Sequence, residues 1–200
     1  MRKVSILAII LVLPLFLKAQ ETPKTEVFGG YSYLHNSGSN FNGWEGQGTL
    51  NLTPFFGLTI DASGHYHTAS AFSPITGVSF SANQRLYNFL AGPTVTARFN
   101  KFSVFGHGLF GAAHSSLGAG LTLPIIGGVS TGVTSANAFA MALGGGLDLN
   151  LTKHFAIRAV QADYLYTRFN ALDALTFGLS TNSNGHQNSF RYSAGIVFRF

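Results

Sequence analysis

The chain has 200 residues, of which only 10% are charged, with no cysteine and a net charge of +5 at neutral pH. The absence of cysteine excludes disulfide staples, thiolate metal sites and a lipid anchor on a cysteine. Because about a quarter of the residues of a soluble domain are usually charged, this composition fits a surface that faces lipid better than one that faces water.

The first twenty residues have the layout of a secretory signal peptide. A short basic start precedes an almost unbroken apolar run over 4–17, and the sequence then turns polar. The run is shorter than the roughly 20 residues that a spanning helix needs, which favours a leader cleaved near residues 19–20 over a membrane anchor. We predict a signal peptide over 1–20 and one domain over 21–200. Removing the leader lowers the net charge to about +2, which gives no reason to expect a nucleic acid partner.

Apolar and polar side chains alternate along the rest of the chain. In the segment 44–53, Trp44 and Leu50 share one face, and Glu45 and Gln47 share the other. Alternation over segments of about ten residues is typical of transmembrane β-strands. We predict eight strands, over residues 26–35, 44–53, 57–67, 85–99, 103–114, 137–151, 155–168 and 189–200.

The connections between these strands alternate in length. Short turns follow the second, fourth and sixth strands, whereas the other connections are long and rich in Gly, Ser, Asn and Thr. Short periplasmic turns and long extracellular loops are typical of outer-membrane barrels, and a sheet in lipid must close on itself to pair its backbone groups. The sequence therefore predicts an all-β fold, an eight-stranded antiparallel up-and-down transmembrane β-barrel. Its extracellular loops are expected at about 36–43, 68–84, 115–136 and 169–188.

Two strands have a less regular pattern. In the fifth, the sequence leaves open whether Phe105, His107 and Leu109 or the residues between them face inward. In the seventh, Arg158 has the wrong parity to share a face with the polar residues that follow it. A β-bulge near 159–160 would bring all of these polar residues inward.

Inward polar side chains predict ion pairs that plug the lumen. Eight strands leave an interior just wide enough for side chains, and buried charges must pair. A polar conduction path is the alternative. The pairs that we expect are Asp148 with Arg158, Asp61 with Arg98, Glu45 with Arg85, and Glu26 with Arg199.

Three segments resemble OmpA-like outer-membrane β-barrel proteins. Residues 26–34, Glu-Val-Phe-Gly-Gly-Tyr-Ser-Tyr-Leu, look like the opening strand of that family, and 89–93, Phe-Leu-Ala-Gly-Pro, like a later barrel motif. The end of the chain, 192–200, has alternating apolar residues before a terminal Phe200. It resembles the signal that the barrel-assembly machinery recognises. The resemblance implies a barrel in the Gram-negative outer membrane, without the peptidoglycan-binding domain that larger members carry.

The histidines suggest no metal site. His65 and His67 lie two apart on one strand and point the same way, and a site would need three or four converging ligands. Neither cysteine nor a carboxylate cluster supports one near the predicted extracellular rim. The other histidines that we place toward this rim are His35, His114 and His186.

One short motif resembles an enzyme. His114 and Ser116 match the His-x-Ser spacing of outer-membrane lipid A deacylases, in which serine is the nucleophile and histidine the base. An acid to orient the base is missing from the neighbouring strand. We therefore predict no catalytic residue, no cofactor and no metal.

The best-supported role is that of a non-enzymatic barrel with a structural or surface-interaction function. The alternatives are a narrow pore for small solutes and, with less support, a lipid A-modifying enzyme. Expected partners are outer-membrane lipid and lipopolysaccharide, the barrel-assembly machinery and an unidentified extracellular ligand. The loop 115–136 is unusually apolar, and we expect it to fold over the barrel mouth or to contact partners or lipid. Aromatic girdles are expected at the outer rim (Tyr31, Tyr33, Trp44, Tyr66, Tyr87) and the inner rim (Phe55, Phe56, Phe99, Phe155, Phe198, Phe200).

Overall fold

The structure is a computed structural model of the chain. It describes residues 22–36, 39–73, 77–123, 127–168 and 186–200. The predicted signal peptide and most of the predicted loop 169–188 lie outside the described residues. Within the described residues there is no helix long and apolar enough to cross a membrane.

Eight antiparallel strands form a closed barrel in which each strand pairs with its neighbours in sequence and the last pairs with the first. The predicted eight-stranded up-and-down barrel is therefore confirmed. The strands are β1 (Thr25–Asn36), β2 (Ser39–Asn51), β3 (Phe56–Ser73), β4 (Val78–Arg98), β5 (Phe102–Leu123), β6 (Gly127–Asn150), β7 (Phe155–Arg168) and β8 (His186–Arg199).

Alternate side chains on each strand point inward and outward, as the period of two requires. Glu45 and Gln47 of β2 are buried in the lumen, whereas Ile60 and Leu143, on the outside, are 68% and 63% exposed. On β5 it is Phe105, His107 and Leu109 that point inward, which settles the face that the sequence left open. Large apolar side chains thus form the outer surface, and polar ones fill much of the interior.

The predicted bulge in β7 is confirmed. The pairing of β7 with β8 shifts between Arg158 and Gln161, so that Ala159 and Val160 both remain on the outside. Arg158, Gln161 and Asp163 all point into the lumen as a result.

Several predicted loop boundaries are wrong because the strands are longer than expected. Most of 68–84 belongs to β3 and β4, and most of 115–136 belongs to β5 and β6, which pair out to Leu123 and Gly127. The loop 36–43 is also shorter, because β2 already begins at Ser39. Beyond the barrel wall both faces of a strand meet solvent, so no apolar–polar alternation marks these parts as strands.

Candidate functional site

A single guanidinium group holds the centre of the lumen together. Arg191 of β8 is completely buried and donates to Asp163 of β7 at 2.7 and 2.9 Å and to Asp61 of β3 at 3.0 and 3.1 Å. A third carboxylate, that of Glu45, lies 3.4 Å from the same guanidinium. Strands on opposite sides of the barrel are therefore joined through one side chain.

Side chains other than Arg191 also satisfy the lone pairs of the central carboxylates. Glu45 accepts hydrogen bonds from Gln47 at 2.6 Å and from Gln161 at 2.7 Å, as well as from the Ser193 hydroxyl. Asp163 contacts His107 Nε2 at 2.8 Å. Buried carboxylates are stable only when their lone pairs are occupied in this way.

Next to this centre, toward the short turns, lies an aromatic clamp around a second arginine. Arg158 donates to Asp148 at 2.8 Å, which confirms the predicted pair. Its guanidinium carbon also lies 4.3 and 4.1 Å from the ring centroids of Phe28 and Phe105. The two rings cover the faces of the guanidinium and exclude water from it, a cation–π arrangement that is strongest where the ion is desolvated.

Two of the other predicted pairs are wrong. Glu26 does pair with Arg199, at 3.2 Å, but it also accepts from Arg98 at 2.5 Å, so Arg98 does not pair with Asp61. Arg85 is exposed on the outside of the barrel, because it shares its parity with Tyr87 rather than with the inward residues of β4. It therefore cannot reach Glu45.

Toward the long connections, apolar side chains close the lumen. Buried leucines, a phenylalanine and a column of alanines form this apolar layer: Leu34, Phe41, Leu86, Leu90, Leu109, Ala113, Ala136, Ala138, Ala140, Ala142 and Leu165. Below it, a cavity between Glu26, His107 and Arg158 has a volume of about 10 Å³. That is about enough for one water molecule. Apolar–polar alternation does not reveal the apolar layer, because its inward side chains are apolar like the outward ones.

The glycine cluster of β6, which is Gly144, Gly145 and Gly146, leaves space for the carboxylate of Asp163. A Cβ on Gly144 would lie 2.1 Å from Asp163 Oδ1 and 2.3 Å from the Ala162 carbonyl oxygen. Only glycine allows the Asp163 carboxylate to lie over β6, where its Oδ1 contacts His107 of β5.

Beyond the barrel, β3 to β6 continue as a four-stranded sheet, here called the projecting sheet (residues 67–73, 78–84, 117–123 and 127–134). The last pair between β2 and β3 is Asn42 with Tyr66, so β3 continues over 67–73 with no strand neighbour on that side among the described residues. At about 3.3 Å per residue this is about 23 Å of strand. None of the residues of the projecting sheet is Asp, Glu, Lys or Arg.

Similar folds are known among solved structures. Ail, the attachment invasion locus protein of Yersinia pestis, is 18% identical, with a TM-score of 0.53 over 90% of this chain and 99% of that chain. A second Ail structure, in complex with the heparin analogue sucrose octasulfate, gives 19% identity and a TM-score of 0.54 over the same shares. A major outer membrane protein of Thermus thermophilus is 11% identical, with a TM-score of 0.50 over 88% of this chain and 99% of that one. No family model and no curated protein matches the sequence.

The fold is that of the small outer-membrane β-barrels. Large apolar side chains form a belt around the outside of the barrel. This belt and the fold together place the chain in the outer membrane, surrounded by lipid. The short turns of such a barrel face the periplasm and the long hairpins face outward. The projecting sheet lies at the end of the barrel that we expect to face outward.

Several aromatic residues predicted to form the girdles contact one another on the outside of this outer-membrane barrel. Toward the extracellular side, Tyr66 and Tyr87 contact edge to face with ring centroids 6.0 Å apart, and Trp44 Nε1 lies 3.4 Å from the Tyr66 hydroxyl. Toward the periplasm, Phe155 and Phe198 contact with centroids 5.6 Å apart. Such amphipathic and apolar rings fit the two membrane interfaces.

The histidines do not converge in the outer-membrane barrel. His65 is buried and contacts Ser32 at 2.9 Å, whereas His67 contacts the Asn40 carbonyl oxygen at 2.8 Å. His35 contacts the side chain of the same Asn40, whereas His114 and His186 have separate partners, Asn137 and Tyr166. No group of three or more possible metal ligands occurs in the part of the chain that the structure describes.

The His114–Ser116 motif lies on the outer face of β5, while Ser115 between them is buried. The ring of His114 contacts Asn137 Oδ1 at 2.7 Å. An amide in this position orients the ring but carries no negative charge to stabilise an imidazolium, as the acid of a catalytic triad does.

Proposed function

We propose that the protein is a non-enzymatic outer-membrane barrel, exported by the signal peptide 1–20, that presents the projecting sheet for interactions at the cell surface. The observation that carries this proposal is the uncharged sheet that extends beyond the barrel with an open β3 edge. An exposed edge is normally protected by charges, proline or a bulge. Residues 68–73, Thr-Ala-Ser-Ala-Phe-Ser, contain neither charge nor proline.

An open edge of this kind fits a partner that adds an extended strand. Main-chain hydrogen bonds then supply affinity, and alternate side chains supply specificity. Ail is known with a sulfated ligand, but a sulfated partner needs cations, and the projecting sheet has no lysine or arginine. An uncharged protein segment is the better partner for this surface.

The test compares an edge variant with a variant of the same sheet face. Ala69→Lys with Ala71→Lys places two charges on the open edge of β3. Their direct partners on β4 are Ala82 and Phe80, so Ala82→Lys with Phe80→Lys places the same charges on the same face of an inner strand. Host cells displaying each form are measured for adhesion to immobilised extracellular proteins and for the settling rate of the suspension.

We expect the edge variant to lose adhesion and the inner-strand variant to keep it. Loss of adhesion in both variants would indicate that the partner binds the face of the sheet rather than its edge. Adhesion and settling equal to those of cells without the protein, for all forms, would refute a surface-interaction role.

The two alternative functions have weaker support. A pore would need a continuous water path, whereas the apolar layer and the arginine network fill the lumen. Stepwise conductance of the purified protein in planar bilayers would favour the pore. A lipid A-modifying activity would be indicated by altered lipid A in cells that overproduce the protein and by its loss in His114→Ala.

A further inference from the structure

The periplasmic end of the barrel contains a concave cavity of about 920 Å³, here called the periplasmic mouth. It is formed by residues 22–24, by the β4–β5 and β6–β7 turns, and by the end of β8. Its volume lies in the range of pockets that hold small ligands. It lies at the end of the lumen rather than on the lipid-facing belt.

The lining of the periplasmic mouth is basic. It includes Lys24, Arg98, Lys101, Lys153 and Arg199, and no Asp or Glu among the described residues. The acidic side chains that contact Arg98 and Arg199, those of Glu26 and Asp148, belong to the lumen network and not to this lining. Concave surfaces lined by one sign of charge concentrate the field and attract counter-ions.

Two buried donors at the base of the mouth add to this preference. Arg98 Nε and Arg199 Nη2 have no hydrogen-bond acceptor among the described residues. Arg199 Nη2 lies 3.5 Å from Asp148 Oδ2, close enough for an ion pair but without a hydrogen bond. Buried donors of this kind favour an oxyanion nearby, because charge-assisted bonds from arginine are strong.

We propose that the periplasmic mouth is a binding site for an oxyanion that carries several phosphate or carboxylate groups. Lys24, Lys101 and Lys153 are exposed at its rim and would contact the ligand directly. Arg98 and Arg199 form its base, where their charges make the electrostatic potential more positive. A soluble periplasmic polyanion and the phosphate of an anionic lipid headgroup offer the same chemistry.

The test uses the complete barrel refolded in uncharged detergent, with tripolyphosphate as the probe in calorimetric titration. The variant Lys101→Gln with Lys153→Gln removes two rim charges from exposed turns. The matched control, Arg85→Gln with Arg168→Gln, removes two exposed charges from the extracellular half. Heat-dependent gel mobility confirms that each variant is folded.

We expect saturable binding that weakens about tenfold in the rim variant, because two exposed charge contacts are lost, and that is unchanged in the control. Equal weakening in both variants, or no saturable binding by the unaltered protein, would overturn the proposal. A repeat in lipid nanodiscs distinguishes the sources. Loss of tripolyphosphate binding when phosphatidylglycerol is included identifies the headgroup as the ligand, and unchanged binding identifies a soluble anion.

Discussion

Replacement of Arg191 by methionine should be among the most damaging single changes in the barrel. The guanidinium is the shared partner of Asp61, Asp163 and Glu45, and all four side chains are fully buried. Removing one partner of a buried ion pair costs about 3–5 kcal/mol, because the other charge stays buried without compensation. Here three carboxylates lose the same partner, and we expect a loss of at least about 4 kcal/mol of unfolding free energy.

Urea unfolding of the refolded barrel in detergent measures this loss. Trp44 is the single tryptophan of the chain and lies on the outer surface, so its fluorescence reports the transfer from detergent to water. Arg85→Met, on the outer surface, is the control and should change stability by less than about 0.5 kcal/mol. Adding Asp61→Asn and Asp163→Asn to Arg191→Met should restore much of the loss. A methionine variant within about 1 kcal/mol of the unaltered protein would refute the central role of this network.

Three further changes test other parts of the structure. Gly144→Ala should lower the free energy of unfolding by about 2 kcal/mol in the same assay, because its Cβ would collide with Asp163 and the β7 backbone. An unchanged urea midpoint would contradict this close approach. Phe105→Leu should cost about 1–2 kcal/mol by opening one side of the clamp on Arg158, and its cost should largely disappear in an Arg158→Leu background. Phe200→Ser should leave the stability of the refolded barrel nearly unchanged, since this side chain is 71% exposed. The same variant should reduce the amount of folded barrel in the outer membrane. A normal amount would argue against recognition of Phe200 by the barrel-assembly machinery.

The parts of the fold that follow from neighbouring strands could be predicted from the sequence. Asp148 and Arg158 lie at equal distances from the β6–β7 turn, and the register brings them directly opposite each other. The bulge at 159–160 was also predictable, because a one-residue change of parity is the only local way to turn three polar side chains inward. Both inferences need only the period of two and the position of a tight turn.

The centre of the lumen could not be predicted in the same way. Arg191 reaches Asp61 across the interior, from a strand that does not pair with β3. Alternation tells which face a residue occupies but not how far its side chain extends across a closed lumen. The same limit explains why Arg98 was assigned to a neighbouring strand rather than to Glu26.

The filled lumen restricts where this protein can act. The five described acidic residues all belong to the lumen network, whose central carboxylates are fully buried. The outer belt is apolar and faces lipid, and the apolar layer fills part of the lumen on the side of the long hairpins. Selective contacts with other molecules are then concentrated at the two ends, where the chain offers an uncharged sheet edge outside and a basic cavity inside. Because the plugged barrel holds these ends apart as a rigid body, changes at one end should leave binding at the other unaltered.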